Sequence, residues 1–444
     1  MSRYQPYPSY NDSGVEWLGE VPEHWKVFPI KRLSPVQRGA SPRPIDNAKY
    51  FDDEGEYAWV RITDVSASNG LLTETIQQLS DLGSSLSVKI QPGSLFVSIA
   101  GSVGKPCIAG LKACIHDGFV YFPLLKIDPK YLYRIFEAGT CYLGLGKMGT
   151  QLNLNTETVG GIYIALPPED ELKNILSFLD IQTAKIDTLI AKQQRMIELL
   201  KEKRSALISH AVTKGLDSNV KMKDSGVEWL GEVPEHWEIK KMKHVIKKIE
   251  SGTSVNASNE PASVTEFGVL KTSCVYTGQF DPNENKTVIP EEIMRLSCPL
   301  QENTLIVSRM NTPDLVGAAG LVTFAPKNIY LPDRLWQVSF DFAVPAFIHY
   351  LTLTGVYRSY IQTVCAGTSA SMQNLSQDNF RDFTFALPDN QEQRVIADYL
   401  CTQTAKIDIL IAKARQAIEL MKERRTALIS AAITGKIDVR GVYS

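Results

Sequence analysis

The sequence predicts an α+β chain with a pseudo-two-fold internal repeat, in which two mixed α/β domains are joined by two long, antiparallel coiled-coil helices. Three observations carry this expectation. The stretch DSGVEWLGEVPEHW occurs twice, letter for letter, at Asp12–Trp25 and Asp224–Trp237. A longer echo, Gln182–Thr213, returns as Gln403–Thr434 with about two-thirds of its positions identical, which marks a tandem duplication. Between these matching parts lie middle segments, about 26–165 and 238–386, that have drifted apart. Two similar frames carrying two different inserts suit a protein that offers similar surfaces to one kind of partner and distinct surfaces to something else.

The chain of 444 residues, with 44% hydrophobic and 22% charged residues, is long enough for two to four domains of ordinary globular composition. Residues 1–11, beginning MSRYQPYPSY, are expected to form a mobile tail, because Pro, Tyr and Ser without periodicity rarely order at a terminus. The remaining divisions follow the repeat: a first domain at 12–166, a first helix at 167–217, a second domain at 218–387 that opens with a linker at 218–223, and a second helix with a C-terminal tail at 388–444.

The helices have clear boundaries in the sequence. Leu166, Pro167 and Pro168 close the first middle segment, and Leu387 with Pro388 closes the second. Proline beside the first turn, followed by Glu169, Asp170 and Glu171, starts a helix because the missing amide is not needed there and carboxylates suit the helix dipole. Gly215 and Gly435 are the expected stops. Leu172, Ile175, Leu179, Ile186, Leu189, Met196, Leu200 and Leu207 trace a stripe with steps of three and four, broken by Gln182, Gln193 and Lys203. Ile396, Leu400, Ile407, Leu410, Met421 and Leu428 repeat it, with Gln403 and Arg424 at breaks. Two such stripes bury each other if the helices pair, and an approximate two-fold axis makes the pair antiparallel. The alternative is two amphipathic helices, each docked on its own domain.

The middle segments read differently. Short apolar runs such as YAWVRI, LFVSIA, FVYFPLL, TLIVSRM and WQVSF alternate with Gly, Pro, Asn and Asp, the pattern of short strands and loops. GTQLNLNTETVGGIYIALP from Gly149 aligns without a gap on ASMQNLSQDNFRDFTFALP from Ala370, so the two inserts share a skeleton.

Marks of catalysis are absent. Gly101-Ser102-Val103-Gly104-Lys105 has Pro106 where a phosphate loop needs Ser or Thr, and Ile99 where it needs the first glycine. No Asn-Pro-Pro-aromatic or Asp-Pro-Pro-Tyr tetrapeptide of an amino-methyltransferase occurs, and Glu171-Leu172-Lys173 and Glu284-Asn285-Lys286 lack the upstream Pro-Asp of a nuclease signature. No catalytic residue, cofactor or metal ligand is therefore assigned. His24 and His236 in the repeated Pro-Glu-His-Trp are expected to make local structural hydrogen bonds. The seven cysteines have no paired spacing and are read as reduced core thiols. No apolar run approaches the roughly 20 residues of a membrane span, and no leader-like segment opens the sequence, so a cytoplasmic location is expected.

The formal net charge of -2 neither announces nor excludes a nucleic-acid binder. Candidate contacts to bases and phosphates sit on turn-rich loops at matching places of the two inserts: Arg38 and Arg43, then Lys147, Thr150, Gln151 and Asn153 in the first; Arg309, Asn311, Arg334, Thr368, Ser369, Gln373 and Asn374 in the second. Guanidinium and amide side chains are the groups that pair with base edges, and hydroxyls hold phosphates.

With these motifs in view, the chain resembles the specificity subunit of type I restriction-modification systems. The doubled W-L-G-E-V-P-E-H-W, the doubled T-A-K-I-D helix with its A-L-I-S segment and the two variable inserts cover nearly the whole length. The resemblance implies a non-catalytic reader of double-stranded DNA, in which each insert is a target-recognition domain for one half of a bipartite, asymmetric site. It also implies that the helices set the spacer between the halves. Two modification subunits, the methyltransferases, would dock on the repeated frames, and restriction subunits, ATP-dependent translocases and endonucleases, would join them. A self-contained methyltransferase or nuclease and a protein-binding repeat scaffold are the competing classes.

Overall fold

The structure is a computed structural model that describes residues 4–145, 154–365 and 372–441. The chain divides into two compact units, residues 1–194 with 416–444 and residues 195–415, so each unit takes part of both long helices. The first long helix spans Glu169–Lys214 and the second Asn390–Ile433. The second is capped by Asp389, whose Oδ1 accepts the amides of Gln391 and Glu392 at 2.9 Å. Gly215 and Gly435, with φ of 78° and 68°, terminate the helices in the left-handed region that glycine enters without strain.

In the first unit Leu172, Ile175 and Leu179 share a core with Ile429, Ala432 and Ile433, and further along Asp187 pairs with Arg425. The two helix segments of that unit therefore run antiparallel. The second unit shows the same by its own contacts. Ile208, Ala211 and Val212 share a core with Ile396 and Leu400, while Arg204 Nε lies 3.2 Å from Asp408 Oδ1. Arg204 and Arg425 are repeat equivalents, as are Asp187 and Asp408, so the same ion pair is made once in each unit.

The buried stripe differs from the expected one in one row. Leu172, Ile175, Leu179, Ile186, Ile396, Leu400 and Ile407 are buried as expected from the stripe, and Leu200, Leu207, Met421 and Leu428 are half-buried. Leu189, Met196 and Leu410 instead lie exposed, at 51%, 39% and 48%. Their places are taken one residue later by Ile190 and Ile197 in the first helix and by Ile411 in the second, where Ile418 continues the shifted row. The same shift puts Thr183 and Thr404 in the seam rather than Gln182 and Gln403, and Arg204 and Arg425 rather than Lys203 and Arg424. A helix of 3.6 residues per turn drifts by about 20° per heptad against a strict seven-residue repeat, so a contact line followed over many turns migrates sideways. The threonines fit this because each hydroxyl is satisfied within its own helix, Thr183 by Leu179 O and Thr404 by Leu400 O, both at 2.7 Å.

The repeated opening motif folds as a hairpin, Tyr10–Asp12 against Glu20–Pro22 in one unit and Met222–Asp224 against Glu232–Pro234 in the other. Its Trp and His then dock on a carboxylate in the first turn of a long helix. Trp25 Nε1 donates to Glu171 at 2.8 Å and His24 Nε2 lies 2.9 Å from the same carboxylate. Trp237 and His236 make the matching contacts to Glu392, at 3.1 and 2.8 Å. The histidines thus bond across the fold to a helix end, not locally as expected. Glu171, read from sequence as a first-turn carboxylate and a rejected nuclease element, is 6% exposed and central to the packing.

Of the expected mobile tail, the described residues from Tyr4 on are packed. Tyr7 is buried and its hydroxyl donates to Glu171 at 2.5 Å, Tyr4 meets Phe178 edge-on, and Tyr10 donates to Gly435 O at 2.9 Å. Three tyrosines in seven residues carry enough apolar surface to order a segment that its prolines alone would leave open. Cys298 is half-buried and Cys401 exposed, so the reading of all seven cysteines as core thiols fails at these two.

Each insert is tied at its base. Lys26–Pro29 pairs antiparallel with Tyr163–Leu166, and Glu238–Lys241 with Thr384–Leu387, so the chain leaves and re-enters the frame through one two-stranded ladder. Beyond the first ladder stand a five-stranded sheet, with Leu95–Ser98 and Phe119–Tyr121 at its centre, and a four-stranded sheet built on Tyr57–Val60 and Ala113–Ile115. Beyond the second stand a four-stranded sheet around Leu305–Ser308 and Leu335–Phe340 and a three-stranded sheet around Gly268–Leu270. Replacing Glu171 by Leu strands the donors of Tyr7, His24 and Trp25, and should lower unfolding free energy by about 2–4 kcal/mol in urea titrations. The same change at Glu392, which lacks a tyrosine partner among the described residues and is more exposed, should cost less.

Candidate nucleic-acid interface

In the first unit the turn His116-Asp117-Gly118 connects the two sheets, running from Ala113–Ile115 to Phe119–Tyr121. Gln37–Arg38 adds to the edge of Phe119–Tyr121 and carries the following loop across that turn. Gly39 makes the crossing possible, since a β-carbon there would sit 2.2 Å from His116 O. Gly39 N and Ala40 N bond to Phe119 O and Ile115 O at 3.0 and 3.1 Å, fixing the loop on the turn.

Asp117 gathers what the loop delivers. Arg38 Nε donates to its backbone oxygen, Ser41 Oγ donates to Oδ1 at 3.0 Å, and Arg43 Nη2 donates to Oδ2 at 3.2 Å. Partial burial opposes ionisation, yet the Ser41 hydroxyl and the Arg38 and Arg43 guanidinium groups hold this carboxyl below its ordinary range. Beside it opens a cleft of about 1130 Å³ lined by Arg43, Asp46, Phe51, Trp59, Arg61, Gln77, His116 and Asp117 among others. Arg61 follows the strand Tyr57–Val60 directly and donates to Gln77 Oε1 on the neighbouring strand. The His116 ring lies between Trp59 and Phe119, with centroids 5.9 and 4.6 Å away, and its Nδ1 accepts from Gly118 N at 2.8 Å. Burial lowers its pKa below the ordinary imidazole value, against the opposing charge of Asp117 and with the nearby Arg38 and Arg61 acting in the same direction as burial. An aromatic floor with guanidinium, amide and carboxylate groups at its rim has the donors and acceptors for base edges and phosphates.

The second unit builds a different surface. Met310–Asn311 pairs with Gln373–Asn374, forming a two-stranded ribbon next to the sheet. Arg309 is held there by its backbone, its N donating to Arg334 O at 3.1 Å and its O accepting from Leu375 N at 2.8 Å. Arg309, Asn311, Gln373 and Asn374, and the Arg334 backbone, are thus brought together by the fold, although they stand far apart in sequence. The Arg309 guanidinium lies 5.9 Å from the Trp336 ring, and Arg309 Nε and Gln373 Oε1 have no hydrogen-bond partner among the described residues. Asn311 differs from the expectation of an open amide: it is 8% exposed, donates to Tyr276 Oη at 2.9 Å and Ser308 Oγ at 3.2 Å, and accepts from Thr312 N. Its amide braces the ribbon.

Lys147, Thr150, Gln151 and Asn153, and Thr368 and Ser369, lie outside the described residues. Of the remaining first-domain candidates, Arg38 and Arg43 converge on Asp117. Arg61, Gln77, His116 and Asp117 were not picked out from the sequence. A signal for Arg61 was present, because Lys271 follows the second insert's Gly268–Leu270 strand in the same way, near Glu284 at 3.8 Å.

Comparison with known proteins places this geometry in a family. Residues 22–199 and 234–420 match the family described as the type I restriction modification DNA specificity domain, once in each repeat. The chain is 21% identical over 436 residues to the type I restriction enzyme EcoKI specificity subunit of Escherichia coli, covering 94% of this chain and 90% of that one. It is 23% identical over 434 residues to the MjaVIII specificity subunit of Methanocaldococcus jannaschii, covering 95% of each. Among solved structures, a chain from work on complex assembly and conformational transition of the type I R-M system aligns with a TM-score of 0.66 at 14% identity, covering 94% of this chain and 99% of that one. The HsdS subunit from Thermoanaerobacter tengcongensis aligns at 0.51 and 14%, covering 94% and 98%. Both likenesses concern the fold.

The two surfaces generate a testable contrast. Replacing Arg43 or Arg61 by Ala should weaken duplex binding on all sequences and flatten the slope of log K against log salt by about 0.9 for each phosphate no longer neutralised. Gln373→Ala should leave that slope unchanged while costing about 1–3 kcal/mol of discrimination at one base position. Titrations between about 50 and 200 mM salt on matched and single-base-variant duplexes read both quantities.

Proposed function

The chain belongs to the type I restriction modification DNA specificity family, and from that premise we propose that it is the non-catalytic DNA-reading subunit of such a system, acting in the cytoplasm. Residues 12–166 and 218–387 are its two target-recognition domains, and each reads one half of a bipartite, asymmetric site in double-stranded DNA. The observation that carries this reading is the pairing of unlike surfaces with like frames. The Arg43-Arg61-Gln77-Asp117 cleft and the Arg309-Gln373 ribbon share no side-chain pattern, whereas the Trp-His-Glu clamp beneath each insert is the same.

Like frames suit like partners. Two modification subunits, which carry the methyltransferase chemistry, dock on the repeated frames, and restriction subunits join that core. The target adenine is extruded from the duplex into the partner's site, so this chain needs no cofactor of its own. The long helices, at 167–217 and 388–444 with the C-terminal tail, hold the spacer between the half-sites.

Exchange of residues 26–165 for the matching segment of a relative tests the division of labour. The ladder Lys26–Pro29 with Tyr163–Leu166 closes the insert at its base, so the exchange leaves the frame whole. Selection from a random duplex pool should then return a site with one half changed and the other intact; a change in both halves would contradict one half-site per domain. Inserting one heptad into each long helix near its middle keeps the seam in register and adds about 10 Å per helix. It should lengthen the tolerated spacer by at most about three base pairs at 3.4 Å each without changing the bases read, and an unchanged spacer would remove the ruler role.

A further inference from the structure

The first recognition domain presents an unusual balance. Arg43 and Arg61 line one cleft and Arg38 is held on the adjoining turn, and uncompensated guanidinium groups there would attract any phosphate backbone regardless of sequence. The structure puts a carboxylate where the two loop arginines, Arg38 and Arg43, meet. Each oxygen of Asp117 already accepts a bond from the loop, Oδ1 from Ser41 at 3.0 Å and Oδ2 from Arg43 at 3.2 Å, so the carboxylate is engaged with the loop it faces. The pair is exposed, Arg43 by 79% and Asp117 by 40%, and such pairs are weak enough to be exchanged for another anion. The backbone is not free to follow, because Gly39 and Ala40 are hydrogen-bonded to the strands on either side of the turn. A carboxylate that stays in place while a phosphate takes its arginine repels that phosphate. Only a duplex whose bases are also held elsewhere in the cleft, as by the Gln77 amide, offsets the repulsion. Specificity commonly needs such an opposed element as well as an attractive one.

We propose that Asp117 is a specificity-determining residue of the first recognition domain, acting as an internal stand-in for phosphate that keeps the loop arginines from binding DNA indiscriminately. This rests on the DNA-reading function above. In the second domain the ribbon's Arg309 leans on Trp336 and pairs with no carboxylate among the described residues, while Glu284 accepts from Ser273 and lies 3.8 Å from Lys271. Asp117 belongs to the first domain alone, so its loss should relax one half-site alone. The ordinary ionisation of Asp117 supports the proposal, because the partners that hold the carboxyl low keep it charged across the physiological range.

The test compares the full chain carrying Asp117→Asn, Asp117→Glu or Asp46→Asn with the unaltered chain, on duplexes with and without the recognised site. Asp117→Asn keeps an acceptor for Ser41 but removes the charge. It should bind unrelated duplex about two- to tenfold more tightly, with a salt slope steeper by up to about 0.9 for each arginine freed to hold a phosphate. Its preference for the site should fall by a similar factor, with single-base variants tolerated in one half only. Asp117→Glu, which keeps the charge and folds independently of any defect of the amide, should retain the preference. Asp46→Asn changes net charge equally in the same cleft without touching the loop arginines, and should shift unrelated binding much less. The proposal is overturned if Asp117→Asn leaves unrelated binding unchanged while weakening only the correct site, which is the behaviour of a direct base contact. It is overturned equally if Asp46→Asn has as large an effect, or if neither affinity moves. Failure of the unaltered chain to bind duplex DNA at all would instead refute the DNA-reading function, so the two failures are distinguishable.

Discussion

A carboxylate at the third position of each long helix is the group on which the rest of this structure depends. Glu171 and Glu392 sit where the helix leaves unpaired amides and a partial positive charge, so negative charge is stabilised there. Each accepts the indole of a tryptophan and faces a histidine from the opening motif, at 2.8–3.1 Å. The recurrence of the Trp, the His and the hairpin of the motif fits this geometry, since the two rings must reach one carboxylate from a fixed hairpin. The other side of each tryptophan is closed by a helix end. Gly435 lies against Trp25 and Pro22, and Gly215 against Trp237, with a β-carbon at either position meeting the indole within 3.4 Å. A helix start, a helix end and the foot of an insert are thereby joined at one point in each unit.

Freedom elsewhere follows from that rigidity. Because both ends of each insert leave from a single two-stranded ladder, the sheets beyond it can change without moving the helices. The ion pairs Asp187–Arg425 and Arg204–Asp408 extend the same logic along the helices, and in the first unit Arg425 also reaches Glu137, which pairs with the nearly buried Arg134. One carboxylate on the insert's own helix, Pro129–Ala138, thus ties it to the helix segment from the C-terminal end of the chain. The second unit makes the corresponding tie differently: Val344, at the start of Pro345–Thr352, donates its N–H to Gln393 Oε1 on the long helix at 2.7 Å, and Phe347 and Ile348 are fully buried.

The repeat, the helix boundaries and the α+β class were legible because they rest on local rules: identical strings, proline before the first turn, glycine after the last. The seam was legible only in part. A strict heptad names Leu189, Met196 and Leu410, while helix drift selects their neighbours, and the sequence offers an apolar residue at both positions. Tyr7 and Glu171 were misjudged because their partners are 164 residues apart, and nothing local marks a charged residue as an acceptor for distant rings. Residue types on loops picked out Arg38, Arg43, Arg309 and Gln373 as candidates, and the fold brings the first two onto one turn and the last two onto one ribbon. Residue types alone could not show that Asp117 gathers the first pair, nor that Asn311 is spent inside the ribbon, since both depend on which strands become neighbours.

One chain that reads two separate short sequences, while its partners carry out the chemistry on DNA, is the central claim. Sequencing methylated adenines in DNA from cells that express the modification subunits with and without this chain measures that claim directly. The expected result is a single asymmetric motif of two defined halves around an undefined spacer, methylated only when the chain is present. Methylation at a contiguous motif, or a pattern that does not depend on the chain, would contradict it.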